Sequence, residues 1–373
     1  MKISKYPSSR LFCLDLLRGL DMFLLVALEP LIGTANGIWH FESDAVHRQF
    51  LHVWGEFHLW DIIMPLFIFM CGAAVPFALG KRMKDGRPLP GYWRHVLGRV
   101  AFLWFCGMLV QGSLASLDWH IISPYCNTLQ AIAAGYLIAA GTLLIRNRIV
   151  RGAMPIVLSL VYTVLLAAFG DYSKDGNFAI KAEFAILNFI LPAGSRVIEL
   201  RDPWYTWFLT SLMFGAMTLC GSQATEILTG KGEPKGKAAR LFGLGAALLA
   251  VGWALVPWIP SIKHIYTLTF TAQAMGWSVL ALAVLYVVTD IWRVRAGLGL
   301  FILYGQFALT AYMLRDFFSP VLLALSKRCL GGFVNVFGPT PQPLVIEIGV
   351  VLALTGVLLL RRKLKTQNKA VRP

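Results

Sequence analysis

Apolar residues run in long stretches along almost the whole chain, and polar residues gather in short segments between them. Runs of roughly 17–25 apolar residues match the length an α-helix needs to cross a bilayer. The pattern predicts helices near 14–33, 60–80, 93–113, 124–145, 150–170, 204–228, 239–257, 266–289, 297–324 and 344–361. Polar groups at Tyr304–Gln306 interrupt the ninth, so a split or kink is expected there, with room for an eleventh element. Gln306 and Arg315 are nine residues apart and fall on nearly opposite faces of an unbroken helix, which also argues for a break near Gly305. The segment 178–200 alternates apolar and polar positions around Pro192 and Gly194 and reads as an interfacial helix. The expected fold is all-α: a polytopic integral membrane bundle of 10–11 transmembrane helices, in one domain over 1–373.

Composition agrees with this reading. The chain is 57% hydrophobic and 14% charged, against about 25% charged in an ordinary soluble domain. It lacks the polar surface to cover itself in water. The net charge of +15 could suggest nucleic acid, but its distribution points to topology. With the N-terminus inside, 23 of the 34 Lys and Arg fall in inside segments and eight in outside segments. The remaining three, Arg18, Arg99 and Arg315, lie within helices. Cytoplasmic loops attract Lys and Arg, so both termini are expected in the cytoplasm with an even helix count, and nucleic acid is not an expected partner. The first apolar run is broken by Asp15, Arg18 and Asp21 and reads as a retained helix, not a cleaved signal. The six cysteines, at positions 13, 71, 106, 126, 220 and 329, show no metal-ligand spacing. They read as packing residues, and no metal is expected. Gly-rich phosphate loops, GxSxG and HExxH are all missing.

Two polar clusters stand at the edges of apolar runs. In HVWGEFHLWDIIMPLFIF, His52, Trp54, Glu56, His58, Trp60 and Asp61 lead straight into the second helix. Ionisable groups are costly at the edge of hydrocarbon, so such a cluster needs solvent or a task. His40 and His47 read as solvated loop histidines; His52 and His58 rise above that because tryptophans and an acid surround them. In LDLLRGLDMFLLVALEP, Asp15, Arg18 and Asp21 follow at i,i+3 and can pair along one helix face. Glu29 lies eleven residues past Arg18, close to three turns and roughly 16 Å further along that face.

The segments LDLLRGLDM, the Trp54-to-Gly72 motif with Asp61, Pro65, Phe67 and Phe69, PYCNTLQAIAAGYL and KHIYTLTFT together resemble the bacterial relatives of heparan-α-glucosaminide N-acetyltransferase. The likeness runs over most of the chain. It implies a helical bundle in the bacterial inner membrane, often a homodimer. It further implies transfer of an acetyl group from cytoplasmic acetyl-CoA, as co-substrate, to an amino sugar bound from the opposite side. On this resemblance His52 takes the place of the family's essential histidine, and Asp61, Trp54 and Pro65 that of the motif positioning its loop. Gln130 matches the LQ pair and Lys263 the lysine before the eighth helix. The chain departs in three places. His52 is one residue closer to Trp54, Glu29 stands where the family has Asn, and Ala131 stands where it has Arg.

Acyl transfer from a thioester needs a base for the nucleophile's proton and a dipole or cation near the developing oxyanion. Histidine titrates near working pH and suits the first role; Glu29 or Asp61 could orient its ring. Arg82 and Arg87, with Lys81 and Arg94 beside them and Arg18 in the first helix, are candidates for the donor's phosphates. The positive-inside bias also explains them. For the sugar, the candidates are Trp54 and His58, with Trp119, His120, Asp171, Asp175, Asn177, Trp258, Lys263 and His264 in outer loops. The rival reading is a sugar transporter, or a membrane scaffold without catalysis. Transporters often carry inverted repeats and paired broken helices, and no internal repeat stands out here.

Overall fold

The computed structural model describes residues 11–40, 48–84, 87–200, 202, 204–333, 336 and 338–370, with side chains through 367. Lys2, Lys5, Arg10, His47, Arg201 and Arg372, which entered the charge and histidine readings, lie outside the described residues. The protein is mostly helical, and among the described residues five helices are long and apolar enough to cross a membrane. They are Leu59–Arg82, Arg148–Phe169, Pro234–Ala254, Leu268–Ile291 and Gln342–Gln367. A sixth is added if the pair Ala308–Asp316 and Ser319–Phe333, bent by 74°, counts as one span. Other predicted helices form but are less apolar or shorter. Ser211–Thr229 is almost wholly buried and carries Gly, Ser, Thr and Gln. A helix surrounded by protein needs close approach and internal hydrogen bonds more than an oily surface.

Within the chain read as one domain, two compact units are distinguished: residues 1–49 with 285–373, and residues 50–284. In the first, α1 (Phe12–Phe23) runs through a π-helical turn, Leu24–Leu28, into α2 (Glu29–Trp39). Asp290 caps α1: its carboxylate accepts from the Phe12 and Cys13 backbone N–H at 3.3 and 3.0 Å. A negative charge there also suits the positive end of the helix dipole. The acid–base–acid face expected here is only half formed. Arg18 pairs with Asp15 at 3.5 Å. Asp21 is fully buried, and neither carboxyl oxygen has a hydrogen-bond partner among the described residues. The π turn also corrects the placement of Glu29. It adds about one residue to the turn and rotates the helix beyond it by roughly a quarter turn, so Glu29 leaves the face of Arg18.

In the second unit, a 3₁₀ turn, Leu59–Ile62, opens α3 (Ile63–Leu79). A two-residue hairpin comes next, β1 (Met83–Lys84) against β2 (Arg87–Pro88). Then come α4 (Tyr92–Val110), α5 (Thr128–Thr142), α6 (Arg148–Phe169), α7 (Phe178–Ile190), α8 (Ser211–Thr229), α9 (Pro234–Ala254) and α10 (Leu268–Tyr286). α3 and α8 are in backbone contact. A Cβ on Gly72 would meet the Thr218 carbonyl, and one on Gly221 would meet that of Phe69.

Hydrogen bonds sort the ends of these helices. At one end the Tyr92 hydroxyl donates to Ala140 O at 2.8 Å, Gln223 Nε2 to Gly152 O at 2.8 Å, and Thr225 Oγ1 to Ala73 O at 2.9 Å. These join the start of α4 and α6 to the finish of α3, α5 and α8. At the other end Trp104 Nε1 donates to Pro124 O at 2.8 Å and Trp54 Nε1 to Tyr172 O at 3.2 Å. There too the Tyr162 hydroxyl donates to Ile265 O, and buried Glu183 accepts from the backbone of Trp207 and Phe208. Thus the 50–60 loop, the α6–α7 loop and the α9–α10 loop share one end, and the hairpin and the α5–α6 loop share the opposite one.

In the first unit the remaining helices are α11 (Gly299–Gln306), α12 (Ala308–Asp316), α13 (Ser319–Leu330) and α14 (Gln342–Ala370). The expected break falls at Phe307, two residues after Gly305. α1 and α11 meet at glycines, Gly19 against the Phe301 carbonyl and Gly305 against that of Asp15. Arg315 pairs with Glu347 at 2.6 Å.

Candidate functional site

The segment between residue 50 and α3 folds back because its polar groups are tied to one carboxylate. His58 precedes the 3₁₀ turn, and the Asp61 backbone N–H three residues on donates to the His58 carbonyl at 3.1 Å. Asp61 Oδ2 accepts the His58 backbone N–H at 2.8 Å. Its other oxygen, Oδ1, lies 2.6 Å from His52 Nδ1. Asp61 is fully buried, whereas the His52 side chain keeps 33% of its surface exposed. A carboxylate on Nδ1 holds the proton on that nitrogen and leaves Nε2 with its lone pair.

The α9–α10 loop supplies the third member. Lys263, 7% exposed, places Nζ 3.4 Å from Asp61 Oδ1, and 3.0 and 2.9 Å from Nδ1 and Nε2 of His52. An ammonium equidistant from both ring nitrogens and lying in the ring plane would collide with the carbon between them. It therefore sits over the face of the imidazole, off both in-plane lone-pair directions. Its charge balances the buried carboxylate while Nε2 keeps its lone pair. Burial of a single charge here would be costly; an Asp–Lys pair with extra hydrogen bonds is tolerated.

Aromatic rings form one wall. The Trp54 ring lies 5.4 Å from that of His264, and the Tyr205 ring lies 4.4 Å from it. Burial holds the His264 imidazole down, from 6.5 to about 4, with Lys263 adding to the effect and Asp202 opposing it. Its Nδ1 is buried without a hydrogen-bond partner among the described residues, as is Nδ1 of His58, whose Nε2 sits 3.1 Å from Glu56. Burial also pushes the Tyr205 phenol up, with the Asp61 charge adding to it.

His52, Trp54, His58, Asp61, Lys263 and His264 are thus brought together from positions up to 212 residues apart. Gln130, Arg82 and Arg87, also expected at the site, are placed elsewhere in this unit. Gln130 is fully buried, but it closes its own loop: Oε1 accepts from Cys126 N at 2.8 Å and Nε2 donates to Pro124 O at 2.7 Å. It positions the start of α5 and offers no free amide. Arg82 and Arg87 lie exposed beyond the far end of α3, Arg82 just before the hairpin and Arg87 within it. Glu29 and Arg18 belong to the other unit, and Asp61 already occupies the ring nitrogen that Glu29 was a candidate to orient.

Among the outer-loop candidates, Asn177 caps α7 and Asp171 binds Ser173 within its own turn. Asp118 holds the His120 ring nitrogen at 2.9 Å, and Trp258 is exposed. The sequence reading missed Tyr205 and the carbonyl of Tyr172, which anchors Trp54. Among the described residues no group of three or more His, Cys, Asp or Glu could hold a metal ion. No protein-family model matches the chain, and no curated protein matches it.

Proposed function

We propose that the protein is a membrane-embedded acyltransferase that moves an acetyl group from acetyl-CoA to the amino group of a glucosamine-type sugar, with His52 as general base. The observation that carries this reading is the Asp61 carboxylate on Nδ1 of a partly exposed imidazole, with the Lys263 ammonium beside it. The acceptor amine attacks the thioester carbonyl carbon while His52 Nε2 takes its N–H proton. Asp61 holds the ring and balances the imidazolium that forms, as the acid of a catalytic triad does. Lys263 faces the negative charge gathering on the carbonyl oxygen. Collapse of the adduct breaks the C–S bond, and the imidazolium proton passes to the departing thiolate. Trp54, Tyr205 and His264 offer ring faces on which a sugar can stack.

Donor and acceptor are named from the resemblance in the His52–Gly72 and KHIYTLTFT segments. The placement of Lys and Arg supports cytoplasmic termini, a span count near ten and residence in an inner membrane, with the donor arriving at the basic face. Discontinuous helices at Phe307 and at the bent pair favour a second reading, sugar transport, because transporters build their pathways from such breaks.

One assay separates the two. Purified protein given labelled acetyl-CoA and glucosamine should form N-acetylglucosamine, and His52→Ala should slow this at least ~100-fold, the range of a lost general base. A protein that moves glucosamine across vesicles but leaves it unmodified is a transporter, and equal turnover by His52→Ala removes His52 from its role.

A further inference from the structure

At the end of α3 away from His52, the chain makes a hairpin whose cross-strand register sets Lys84 directly opposite Arg87. Like charges in that position oppose strand pairing. The hairpin is nonetheless closed, with Leu89 N donating to Arg82 O at 2.9 Å. A third cation comes from the α5–α6 loop: Arg146 lines the same cavity of about 480 Å³ as Lys84, Arg87, Pro88 and Leu89. None of the three cations forms an ion pair with a carboxylate among the described residues. The sequence sets one acid, Asp85, between the first two; it lies outside the described residues. Segments some 60 positions apart thus converge three positive charges on one concave surface, against the repulsion that this entails.

The positive-inside bias accounts for basic loops in general. It does not require that two of their charges face each other across a strand pair, nor that a third from a separate loop complete a cavity with them. We infer that this cavity is a binding site for an anionic phosphate group. Two arginine forks and an ammonium suit phosphate oxygens, which accept bidentate pairs from Arg and a point charge from Lys. The cavity lies beyond the end of a membrane-length helix. The phosphate can belong to a lipid headgroup or to a soluble nucleotide. The inference rests on the cavity alone and stands whether or not the protein transfers acetyl groups.

The test uses the full chain in detergent, with binding read by calorimetry for inorganic pyrophosphate and adenosine 3′,5′-bisphosphate. Retention of phosphatidylglycerol from mixed micelles with phosphatidylcholine is read by native mass spectrometry. The triple variant Lys84→Gln, Arg87→Gln, Arg146→Gln is compared with Lys231→Gln, Lys235→Gln, Arg240→Gln, which removes as much charge elsewhere on the same face. The expected result is binding of at least one probe, weakened tenfold or more by the first variant and less than twofold by the second. It should also fall with added salt, as contacts between exposed charges do. Preference for the bisphosphate names a nucleotide, and selective retention of phosphatidylglycerol names a lipid. Absence of binding by every probe, or equal weakening in both variants, overturns the site.

Discussion

At the residue scale the account turns on Asp61. Both of its oxygens are committed, one to the His52 ring and one to the His58 backbone N–H. Asp61→Asn keeps the shape but turns an amide N–H₂ toward one of these donors. The expected result is a fall in kcat of about 10²–10⁴-fold, with the acceptor KM little changed; steady-state kinetics at saturating donor reads it. His264 makes a prediction about stability. Its folded value is depressed to about 4 from 6.5 by burial. Below pH 6.5 the unfolded chain takes a proton there that the folded chain refuses, so stability falls as pH drops toward 4. Melting temperatures at pH 7 and 4.5 should differ more in wild type than in His264→Gln; equal slopes would contradict the burial. The core of this site was legible because His52 and Asp61 lie nine residues apart on one loop. Tyr205 was not: in the run PWYTWF it looks like any interfacial aromatic.

At the element scale, the contact between α3 and α8 is the feature on which the second unit depends. Gly72 and Gly221 let each backbone lie against the other's carbonyls. This close approach replaces the hydrophobic driving force that helices lack in lipid. Gly72→Val should lower stability by at least about 2 kcal/mol, an overpacking cost with no flexible neighbour to yield. Thermal unfolding in detergent checks it, and an unchanged midpoint would mean that the helices separate without cost. Hydropathy located α3 to within three residues at either end, because length and apolarity are written in the chain, but set the start of the less apolar α8 seven residues early. It did not reveal the π turn at Leu24–Leu28, although Pro30 just beyond it withdraws a backbone N–H from the ladder, and so misplaced Glu29. The break in 297–324 was visible through the clash of faces between Gln306 and Arg315, though Phe307 takes the bend.

At the scale of the molecule, the second unit carries its catalytic candidates at one end and its hairpin at the other. α3 spans about 25 Å from one to the other at 1.5 Å per residue. A membrane-impermeant maleimide should therefore label Glu56→Cys and Lys231→Cys from opposite faces, with Cys126 and Cys329 replaced by serine. Labelling of both from one face would break the topology. The alternation of Lys and Arg assigns the 50–60 loop and the hairpin to opposite sides, and the structure places them at opposite ends of the second unit. The division into two compact units was not readable in this way, because residues 1–49 join 285–373 through contacts far apart in sequence.

The central claim is that an amine held at the His52 end meets a thioester delivered from the basic end. Oriented proteoliposomes test it most directly, with labelled acetyl-CoA confined to the face of the hairpin and glucosamine to the face of His52. The account predicts labelled N-acetylglucosamine on the His52 side, and none when donor and acceptor are exchanged. Transfer at equal rates in both arrangements, or in neither, would contradict it.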